Sequence, residues 1–479
     1  MTSSETTLTF YGGLDEIGGN KILLENRGTR IFLDFGKSFV ARSRYYEWTD
    51  KPRIANGVGD FLTLGILPDI DGIYRDDLLD LAGRKKNPDR FVDGVVLSHA
   101  HSDHSDYVSF LREDIPIWMG ATTRDIIESL EDERQANIEF EITKFKRRYP
   151  SESKKDEGLA TREINTFTTS SKEFSIDSIR IEPVHVDHSL PGCYGFIITT
   201  SDRTIVYSGD LRIHGNKSEM TREFVSKAAG AKPDVMLCEG TRISEMVSQT
   251  EEDVHQTCFQ VIQHASNHFI FADFSYKDID RFGTFYSIAR ETGRKLVINA
   301  RSARYLRALA RRKSSLQIPR VEDDNIVVFK PKQKSGRYDD LDYDATDRAL
   351  YNQIKDSCWT AKEVKDNQSK VIMTIGAYSV DEIIDIQPSG GIYLHSASEP
   401  HNEEGETDEE RMMKWMEKFD LSRVHAHCSG HASGLDINAI VDTIQPKMLI
   451  PIHTEHPNLF RVLQGSKVVC AKKQTAMVL

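Results

Sequence analysis

The sequence predicts an α+β fold into which an α/β domain is inserted, and the order of strand-like and helix-like segments supports this prediction. Apolar strand-like runs fill the N-terminal part of the chain and return after about residue 418 in RVHAHCSGH and KMLIPIH. Between them, short strands such as FIFADF and KLVINA alternate with helical segments, which is typical of a parallel sheet. We therefore expect a first domain in two parts, 1–241 and 419–479, and an inserted domain at 242–418.

Most of the apolar, strand-like runs of the first domain end in histidine or acidic residues. TLTFYGG and NKILLENRGTRIFLDFG open the chain as strands separated by glycine pairs. Later runs lead directly into polar residues, as in VDGVVLSHAH, IRIEPVHVDH, RTIVYSGD, PDVMLCEG and KMLIPIH. Side chains at strand ends along one sheet edge can converge on one rigid site, so we expect a functional site there.

The composition argues against several classes of protein. The 479 residues include 62 Lys and Arg and 74 Asp and Glu, and the resulting charge of −12 argues against a protein that coats nucleic acid through global charge. None of the six cysteines forms a CxxC pair, which weakens zinc-finger and thioredoxin interpretations. No secretory signal and no apolar run of ~20 residues is visible, so we expect a cytoplasmic protein with free thiols and no membrane contact.

Four residues of metal-ligand type lie close together in HAHSDH, namely His99, His101, Asp103 and His104. Neutral imidazole and carboxylate suit Zn²⁺ and similar ions. In an extended segment His99 and His101 point the same way, because side chains alternate with period two. Asp103 and His104 follow where the chain can turn towards a second ion. The alternative is a polar, histidine-rich surface loop.

Further candidate ligands follow other strands of the same domain. They are His185 and His188 after IRIEPV, Asp210 after RTIVY, Glu239 after PDVMLC, and His453 after MLIPI. The two carboxylate oxygens of Asp210 suit it to bridge two ions. We therefore expect a site for two metal ions.

These motifs resemble those of a known family. HAHSDH resembles the HxHxDH signature of metallo-β-lactamase-fold hydrolases, and LDFG at Asp34, HSLPG at His188 and SGD at Asp210 are similar to that family's other motifs. Glu239 in CEGT, His431 in HCSGHAS and His453 in PIHTEHP resemble motifs A, B and C of the β-CASP nuclease branch. GGLDEIGGNK and the DIDR…GRK run are similar to ribonuclease J. The resemblance implies an αββα sandwich with an inserted β-CASP domain, closest to the compact, archaeal-type members.

The resemblance also implies roles for individual residues. One Zn²⁺ is expected at His99, His101 and His188, and the other at Asp103, His104 and His453, with Asp210 shared; Mn²⁺ is the alternative metal. Asp34 is expected to orient ligands by hydrogen bonds. His185 stays open as an alternative to His188.

The catalytic and substrate-binding expectations concern motifs A and B. We expect His431 to act as general acid, with Glu239 as its carboxylate partner and Asp103 completing the catalytic group. The alternatives are a loop histidine and a surface acid. His427, Ser429 and Gly430 resemble residues that receive a substrate phosphate, although His425 and His427 could instead be buried strand residues.

The resemblance implies a metal-dependent ribonuclease that degrades single-stranded RNA from 5′ to 3′, with endonuclease activity left open. A DNA nuclease is the closest alternative, but His453 stands where the DNA cross-link-repair branch typically has Val. A small-molecule metallohydrolase and a non-catalytic subunit are weaker alternatives, and a homodimer is a further expectation.

One stretch of the inserted domain is strongly basic. Residues 281–313 contain ten Lys and Arg and one acid, Glu291, and Arg304, Arg307 and Arg311 fall on one helix face. We expect this face to contact RNA phosphates. The alternatives are a solvated helix and a subunit contact.

Overall fold

The structure is a computed structural model that describes residues 5–46, 50–133, 137–149, 158–168, 172–247, 249–312, 316–374, 377–397, 403–462 and 466–479. The chain forms two compact units. The first comprises 1–213, 217–247 and 430–479, and the second comprises 214–216 and 248–429.

Two seven-stranded sheets form the first unit. Its strands are β1 (Thr7–Gly12), β2 (Lys21–Asn26), β3 (Thr29–Phe35), β4 (Gly94–Val96), β5 (Ile117–Gly120), β6 (Lys144–Lys146), β7 (Leu159–Thr161), β8 (Ile164–Phe167), β9 (Phe174–Ile176), β10 (Ile179–Val186), β11 (Cys193–Thr199), β12 (Thr204–Tyr207), β13 (Val235–Glu239), β21 (Met448–Ile452), β22 (Lys467–Val468) and β23 (Ala476–Val478). The sheet orders are β23-β1-β2-β3-β4-β5-β8 and β22-β21-β13-β12-β11-β10-β9, while β6 and β7 pair separately.

A shared apolar core joins the two sheets. Strands β1 to β4 contribute Leu8, Phe10, Ile22, Leu24, Ile31, Leu33 and Val96, and the other sheet contributes Ile181, Phe196, Ile198, Ile205, Tyr207, Leu237 and Ile450. All of these side chains are buried. Burial of alternate apolar side chains on each facing sheet surface holds such a sandwich together.

Helices cover the outer faces of the sandwich. The helices of the first unit are α1 (Phe39–Ser43), α2 (Gly59–Thr63), α3 (Asp76–Leu81), α4 (Ser102–Ser105), α5 (Ala121–Glu133), α6 (Ser218–Ala231) and α14 (Gly434–Ile444). Helix α5 packs on β5 and β8, α6 packs on β10 and β11, and α14 packs on α6. This arrangement confirms the predicted αββα sandwich.

The second unit is an α/β domain built on one parallel sheet. Its strands are β14 (Phe269–Asp273), β15 (Lys295–Ile298), β16 (Ile326–Phe329), β17 (Cys358–Trp359), β18 (Val371–Thr374), β19 (Gly391–His395) and β20 (Leu421–His425), in the order β17-β16-β15-β18-β14-β19-β20. Its helices are α7 (Glu251–His264), α8 (Ile279–Glu291), α9 (Ala300–Arg311), α10 (Ala345–Gln353), α11 (Ala361–Asp366), α12 (Ile383–Ile386) and α13 (Glu403–Lys418). In the part of the chain described, no helix is long and apolar enough to cross a bilayer.

Strand β20 shows what the apolar pattern alone does not determine. The sequence prediction assigns these residues to the part 419–479 of the first domain, whereas in the structure β20 extends the parallel sheet of the second unit. Five consecutive pairs, from Gly391 with Leu421 to His395 with His425, hold it against β19. An apolar strand pattern does not specify which sheet accepts the strand, because pairing partners lie far apart in sequence.

Glycine at position 36 lets two chain segments approach each other closely. A Cβ atom at Gly36 would lie 1.7 Å from the Asp103 carbonyl oxygen. The neighbouring segments are joined by backbone hydrogen bonds from Lys37 N to Ser102 O and from Asn20 N to Asp103 O. The HAHSDH segment is therefore held directly against the end of β3.

We expect Gly36→Ala to lower the free energy of unfolding by about 4 kcal/mol or more, because backbone atoms of Asp103 cannot move aside without breaking this contact. The measurement is urea denaturation. Gly230→Ala in α6 is the matched control, since a Cβ at Gly230 meets no atom within 4 Å. It should raise stability by up to about 1 kcal/mol. Equal stability of the Gly36→Ala protein and the unaltered protein would contradict the prediction.

Candidate metal centre

The HAHSDH segment lies between a strand and a short helix, as its sequence suggests. Strand β4 ends at Val96, and His101 stands in extended conformation immediately before α4. His99 therefore lies in the connection between strand and helix, while Asp103 and His104 belong to the first helical turn. The change from strand to helix lets four nearby residues face one small volume from two directions.

The remaining candidate ligands come from strands of the other sheet that run in the same direction. Strands β12, β13 and β21 are parallel neighbours, so their carboxyl ends lie along one edge. Asp210 follows β12, Glu239 ends β13 and His453 follows β21. Strands β10 and β12 are both antiparallel to β11, so they run in the same direction and end at the same edge. His188 follows β10 at that edge.

Two groups of possible ligands form around Asp210. In each group, one ligand atom from every residue lies within 4.8 Å of the ligand atoms of the others. The first group is His99, His101, His188 and Asp210, and the second is Asp103, His104, Asp210 and His453. The structure thus brings together all seven predicted metal ligands and gives Asp210 a place in both groups.

Short distances connect the atoms of the first group. His101 Nδ1 lies 3.0 Å from His99 Nε2 and 3.0 Å from His188 Nε2. The Nδ1 atom of His188 donates to the Gly430 carbonyl oxygen at 2.5 Å, so its Nε2 carries a lone pair. The single Nδ1 atom of His101 cannot form hydrogen bonds with both neighbouring Nε2 atoms at once. One cation can bind the lone pairs of all three nitrogen atoms.

The second group shows the same signature around His104. His104 Nδ1 bonds to Asp34 Oδ2 at 2.7 Å, and its Nε2 lies 3.1 Å from Asp210 Oδ2. Among the described residues, Asp210 Oδ1 is a buried atom without a hydrogen-bond partner. Buried polar atoms are rarely left unpaired, so this donor set fits a divalent cation.

Asp34 orients this side of the site, as the family resemblance implies. Its carboxylate accepts hydrogen bonds from Ser98 N at 2.7 Å and Tyr207 OH at 2.6 Å, in addition to the His104 contact. Its backbone φ is +56°, which is unusual for a residue other than glycine. The surrounding hydrogen bonds compensate this local strain, as is common at functional sites.

Two orienting groups, Thr241 and Ser98, were not singled out from the sequence, and Gly430, which was predicted to bind phosphate, has an orienting role that was not predicted. Thr241 Oγ1 lies 2.8 Å from His453 Nδ1, Ser98 Oγ lies 3.0 Å from His99 Nδ1, and the Gly430 carbonyl receives the His188 ring. Thr241 and Gly430 belong to the motifs CEGT and HCSGHAS, and Ser98 directly precedes His99. Their position beside predicted ligands was the only signal in the sequence.

Burial and mutual proximity shift the pKa values of the ligands. Burial lowers the pKa of His99 and of His188 well below the ordinary value for histidine, which keeps both rings neutral and suited to bind a metal. Burial would also lower the pKa of His104, but Asp210 and two other carboxylates raise it well above its ordinary value. Burial opposes ionisation of Asp210, and His104 and His453 outweigh it, so the pKa of Asp210 is held well below its usual range.

His431 and Glu239 form a pair beside the metal ligands. His431 Nδ1 lies 3.1 Å from Glu239 Oε1, and the Glu239 side chain is fully buried. Backbone amides of Leu211 and Thr241 donate to the two Glu239 oxygens and fix the carboxylate. Burial disfavours the charged ring, but Glu239 raises the pKa of His431 to about 9.

The His431 ring also contacts the rings of two predicted ligands. Its centroid lies 4.9 Å from that of His188 and 5.5 Å from that of His453. The pair formed with Glu239 therefore lies directly beside both groups of ligands.

His185 takes no part in either group of ligands. It lies within β10 opposite Tyr194, and the two ring centroids are 4.1 Å apart. Burial lowers its pKa to about 4. Of the two histidines left open by the sequence, only His188 reaches the cluster.

The predicted phosphate-binding residues are divided between the two units. His427 and Ser429 lie in the second unit and Gly430 in the first. His427 Nδ1 lies 3.2 Å from the Ser396 carbonyl and 3.3 Å from Arg281 Nη1, and burial together with Arg281 lowers the pKa of His427 to about 3. His427 is thus a neutral, half-buried residue that follows β20, and its phosphate-binding role stays a prediction.

Much of the basic stretch at 281–313 is engaged within the second unit. Arg281 is fully buried against Glu251, with Nη2 3.2 Å from the carboxylate. Arg304 pairs with Asp347, and Arg307 pairs with Glu322 at 3.2 Å. The formal charge of residues 281–313 therefore overstates the positive field that this stretch presents to solvent. Its contact with RNA stays a prediction.

We expect His188→Asn to lower bound Zn²⁺ by about one equivalent per chain, because it removes one of four converging ligands. His185→Asn is the matched control and should leave the bound metal unchanged. Equilibrium dialysis followed by metal analysis measures both. Loss of metal from the His185→Asn protein, with full metal in the His188→Asn protein, would reverse the assignment.

Comparisons with known proteins agree with this geometry. A family model described as a beta-lactamase superfamily domain matches residues 76–267. Ribonuclease J of Mycolicibacterium smegmatis is 23% identical over 462 residues, which cover 93% of this chain and 68% of that protein. Ribonuclease J of Mycobacterium tuberculosis is 23% identical over 470 residues, which cover 95% of this chain and 69% of that protein.

A solved structure shares the fold over the whole chain. It is the crystal structure of a protein of unknown function from Enterococcus faecalis, which is 23% identical with a TM-score of 0.74 and covers 99% of this chain and 100% of that one. This structure supports the fold, while the family model and the two relatives bear out the resemblance found in the sequence motifs. The chain is therefore similar to ribonuclease J over most of its length, and residues 76–267 match the beta-lactamase superfamily domain.

Proposed function

We propose that the protein is a metal-dependent ribonuclease that hydrolyses phosphodiester bonds of single-stranded RNA, removing nucleotides from 5′ to 3′. The observation that carries the proposal is the pair of ligand groups sharing Asp210, with His431 and Glu239 beside them. The relatives named ribonuclease J support RNA as the substrate. An additional endonuclease activity stays open.

The metal component of the proposal is two Zn²⁺ ions per chain, with Mn²⁺ as the alternative. His99, His101 and His188 would hold one ion, the second group would hold the other, and Asp210 would serve both. Two such ions, when bound, would lower the pKa of water and neutralise charge on phosphoryl oxygens, which is the chemistry that phosphodiester hydrolysis needs. The buried Asp210 Oδ1, which has no hydrogen-bond partner, supports this occupancy.

The chain itself supplies the proton for the leaving oxygen. Glu239 holds His431 Nδ1, so the ring is fixed in rotation and its Nε2 can carry a proton to the departing O3′. Asp103 contacts another proposed ligand, since its Oδ2 lies 3.1 Å from His453 Nε2. In this proposal Glu239 positions, His431 donates and Asp103 completes the ligand set.

Phosphate recognition is assigned to His427, Ser429 and Gly430. The neutral ring of His427 can contribute one hydrogen bond but no charge, because its pKa lies far below neutrality. We further propose a cytoplasmic protein, since none of the six cysteines, all of them described, forms a disulfide. A homodimer stays a prediction.

The proposed activity is tested with 5′- and 3′-labelled single-stranded RNA and matched DNA, incubated with Zn²⁺ or Mn²⁺. We expect immediate release of a labelled mononucleotide from the 5′ label and no cleavage after chelation of metal. The Asp103→Ala/His104→Ala protein is the inactive control. A ladder of internal fragments alone would reject exonuclease action, and cleavage of DNA alone would reject RNA as the substrate.

The general-acid role makes a separate prediction. His431→Ala should slow cleavage of ordinary RNA by about 10²–10⁴-fold while metal content is retained. RNA with sulfur in place of the bridging O3′ should be cleaved at nearly the unaltered rate, because a thiolate leaves without a proton. Single-turnover rates on the two substrates measure this. An equal defect on both substrates would show that His431 does not donate the proton.

A further inference from the structure

Two of the proposed ligands lie in loops that a buried ion pair joins. His188 directly follows Asp187, and Asp210 lies two residues before Arg212. Arg212 Nε lies 3.2 Å from Asp187 Oδ1, with the side chains 0% and 1% exposed. Neither residue belongs to a ligand group or to a motif noted in the sequence.

Backbone hydrogen bonds reinforce the connection between the two loops. Arg212 N donates to the Asp187 carbonyl at 2.8 Å, and Lys217 N donates to Asp187 Oδ2 at 3.0 Å. Thr221 Oγ1, in the first turns of α6, accepts from Asp187 N at 2.9 Å and donates to Arg212 O at 2.7 Å. Main-chain and side-chain groups of both loops are thus bound to each other and to one helix.

The residue between Asp210 and Arg212 extends this network towards the His431 side. Leu211 N donates to Glu239 Oε1 at 3.1 Å, and Leu211 O accepts from Ala432 N at 2.7 Å. The loop that carries Asp210 is therefore held from both directions, by Asp187 on one side and by Glu239 on the other.

We propose that the Asp187–Arg212 pair is a positioning device that places His188 and Asp210 before any metal binds. A buried ion pair contributes little to net stability, so its value lies in fixing one arrangement of the groups around it. His188 and Asp210 lie 22 positions apart in sequence, and a cation that had to gather them from mobile loops would bind more weakly. Groups that orient metal ligands typically change affinity by about 10–100-fold.

The first unit offers a matched control pair. Arg75 and Asp77 are also a buried ion pair, with side chains 2% and 8% exposed. The Arg75 guanidinium packs on the Phe145 ring at 4.0 Å and donates to the Lys146 carbonyl, so this pair lies among residues that carry no proposed ligand. Identical substitutions in both pairs separate ligand positioning from general stability.

The test compares Asp187→Asn/Arg212→Gln with Asp77→Asn/Arg75→Gln, using competition for Zn²⁺ with a chromophoric chelator on metal-free protein. We expect the first variant to bind Zn²⁺ about 10–100-fold more weakly than the unaltered protein, and the control variant to bind with unaltered affinity. Circular dichroism checks that both are folded. Unchanged affinity in the first variant, or an equal loss in both, would overturn the proposal.

Hydrogen exchange on the unaltered protein gives a second readout, which decides the matter if the first variant does not fold. The amides of Asp187, Arg212 and Lys217 should exchange as slowly without metal as with it. Fast exchange that becomes slow only after Zn²⁺ is added would show that the metal, not the ion pair, orders these loops.

The inference rests on the proposed metal binding, and the two can fail separately. If the unaltered protein binds no Zn²⁺, the proposed function fails, and the exchange pattern still decides whether the ion pair orders the loops. If the unaltered protein binds Zn²⁺ and the two double variants bind it with equal affinity, only the positioning role fails.

Discussion

The buried carboxylate of Asp210 is the constraint on which the rest of the site depends. It lies in both ligand groups, and the Nε2 atoms of His99, His104 and His453 lie 3.6, 3.1 and 3.7 Å from its Oδ2. Burial of an ionised carboxylate away from water costs free energy unless positive charge lies close to it. Two divalent cations would supply that charge, and the neighbouring imidazoles supply part of it in the protein alone.

The fold meets this constraint by placing strand ends at one edge and by accepting local strain there. Asp34 and His453 both have positive φ, at +56° and +51°, although neither is glycine. His453 N donates to the Gly13 carbonyl, and Asp34 accepts several hydrogen bonds. Rigid strands, short loops and hydrogen bonds to backbone atoms together allow conformations that an isolated segment would not keep.

The sequence predicted the chemistry of the site better than its supporting contacts. His99, His101 and His104 were recognisable because ligand types crowd into one short segment after an apolar strand. The sequence favoured His188 over His185 only through the HSLPG motif, and the apolar pattern did not give the physical reason for that choice. It depends on β10 continuing to Val186, which places His185 in a strand against Tyr194 and leaves His188 beyond the strand end.

Long-range contacts account for what the sequence could not predict. The ten Lys and Arg of 281–313 suggested a basic face, yet Arg281 pairs with Glu251 thirty positions earlier and Arg304 with Asp347. Strand β20 joined the parallel sheet for the same reason, since its partner β19 is separated from it by a helix. Local patterns reveal the elements, while pairing across the chain depends on packing that no short segment encodes.

We propose that Asp210 would serve two metal ions, and anomalous X-ray scattering at the zinc absorption edge can locate each ion relative to its carboxylate. Crystals grown with Zn²⁺ should show two peaks flanking the Asp210 carboxylate, about 3.5–4 Å apart. One peak should lie among His99, His101 and His188, and the other should lie near His104. A single peak, or peaks remote from Asp210, would contradict the account.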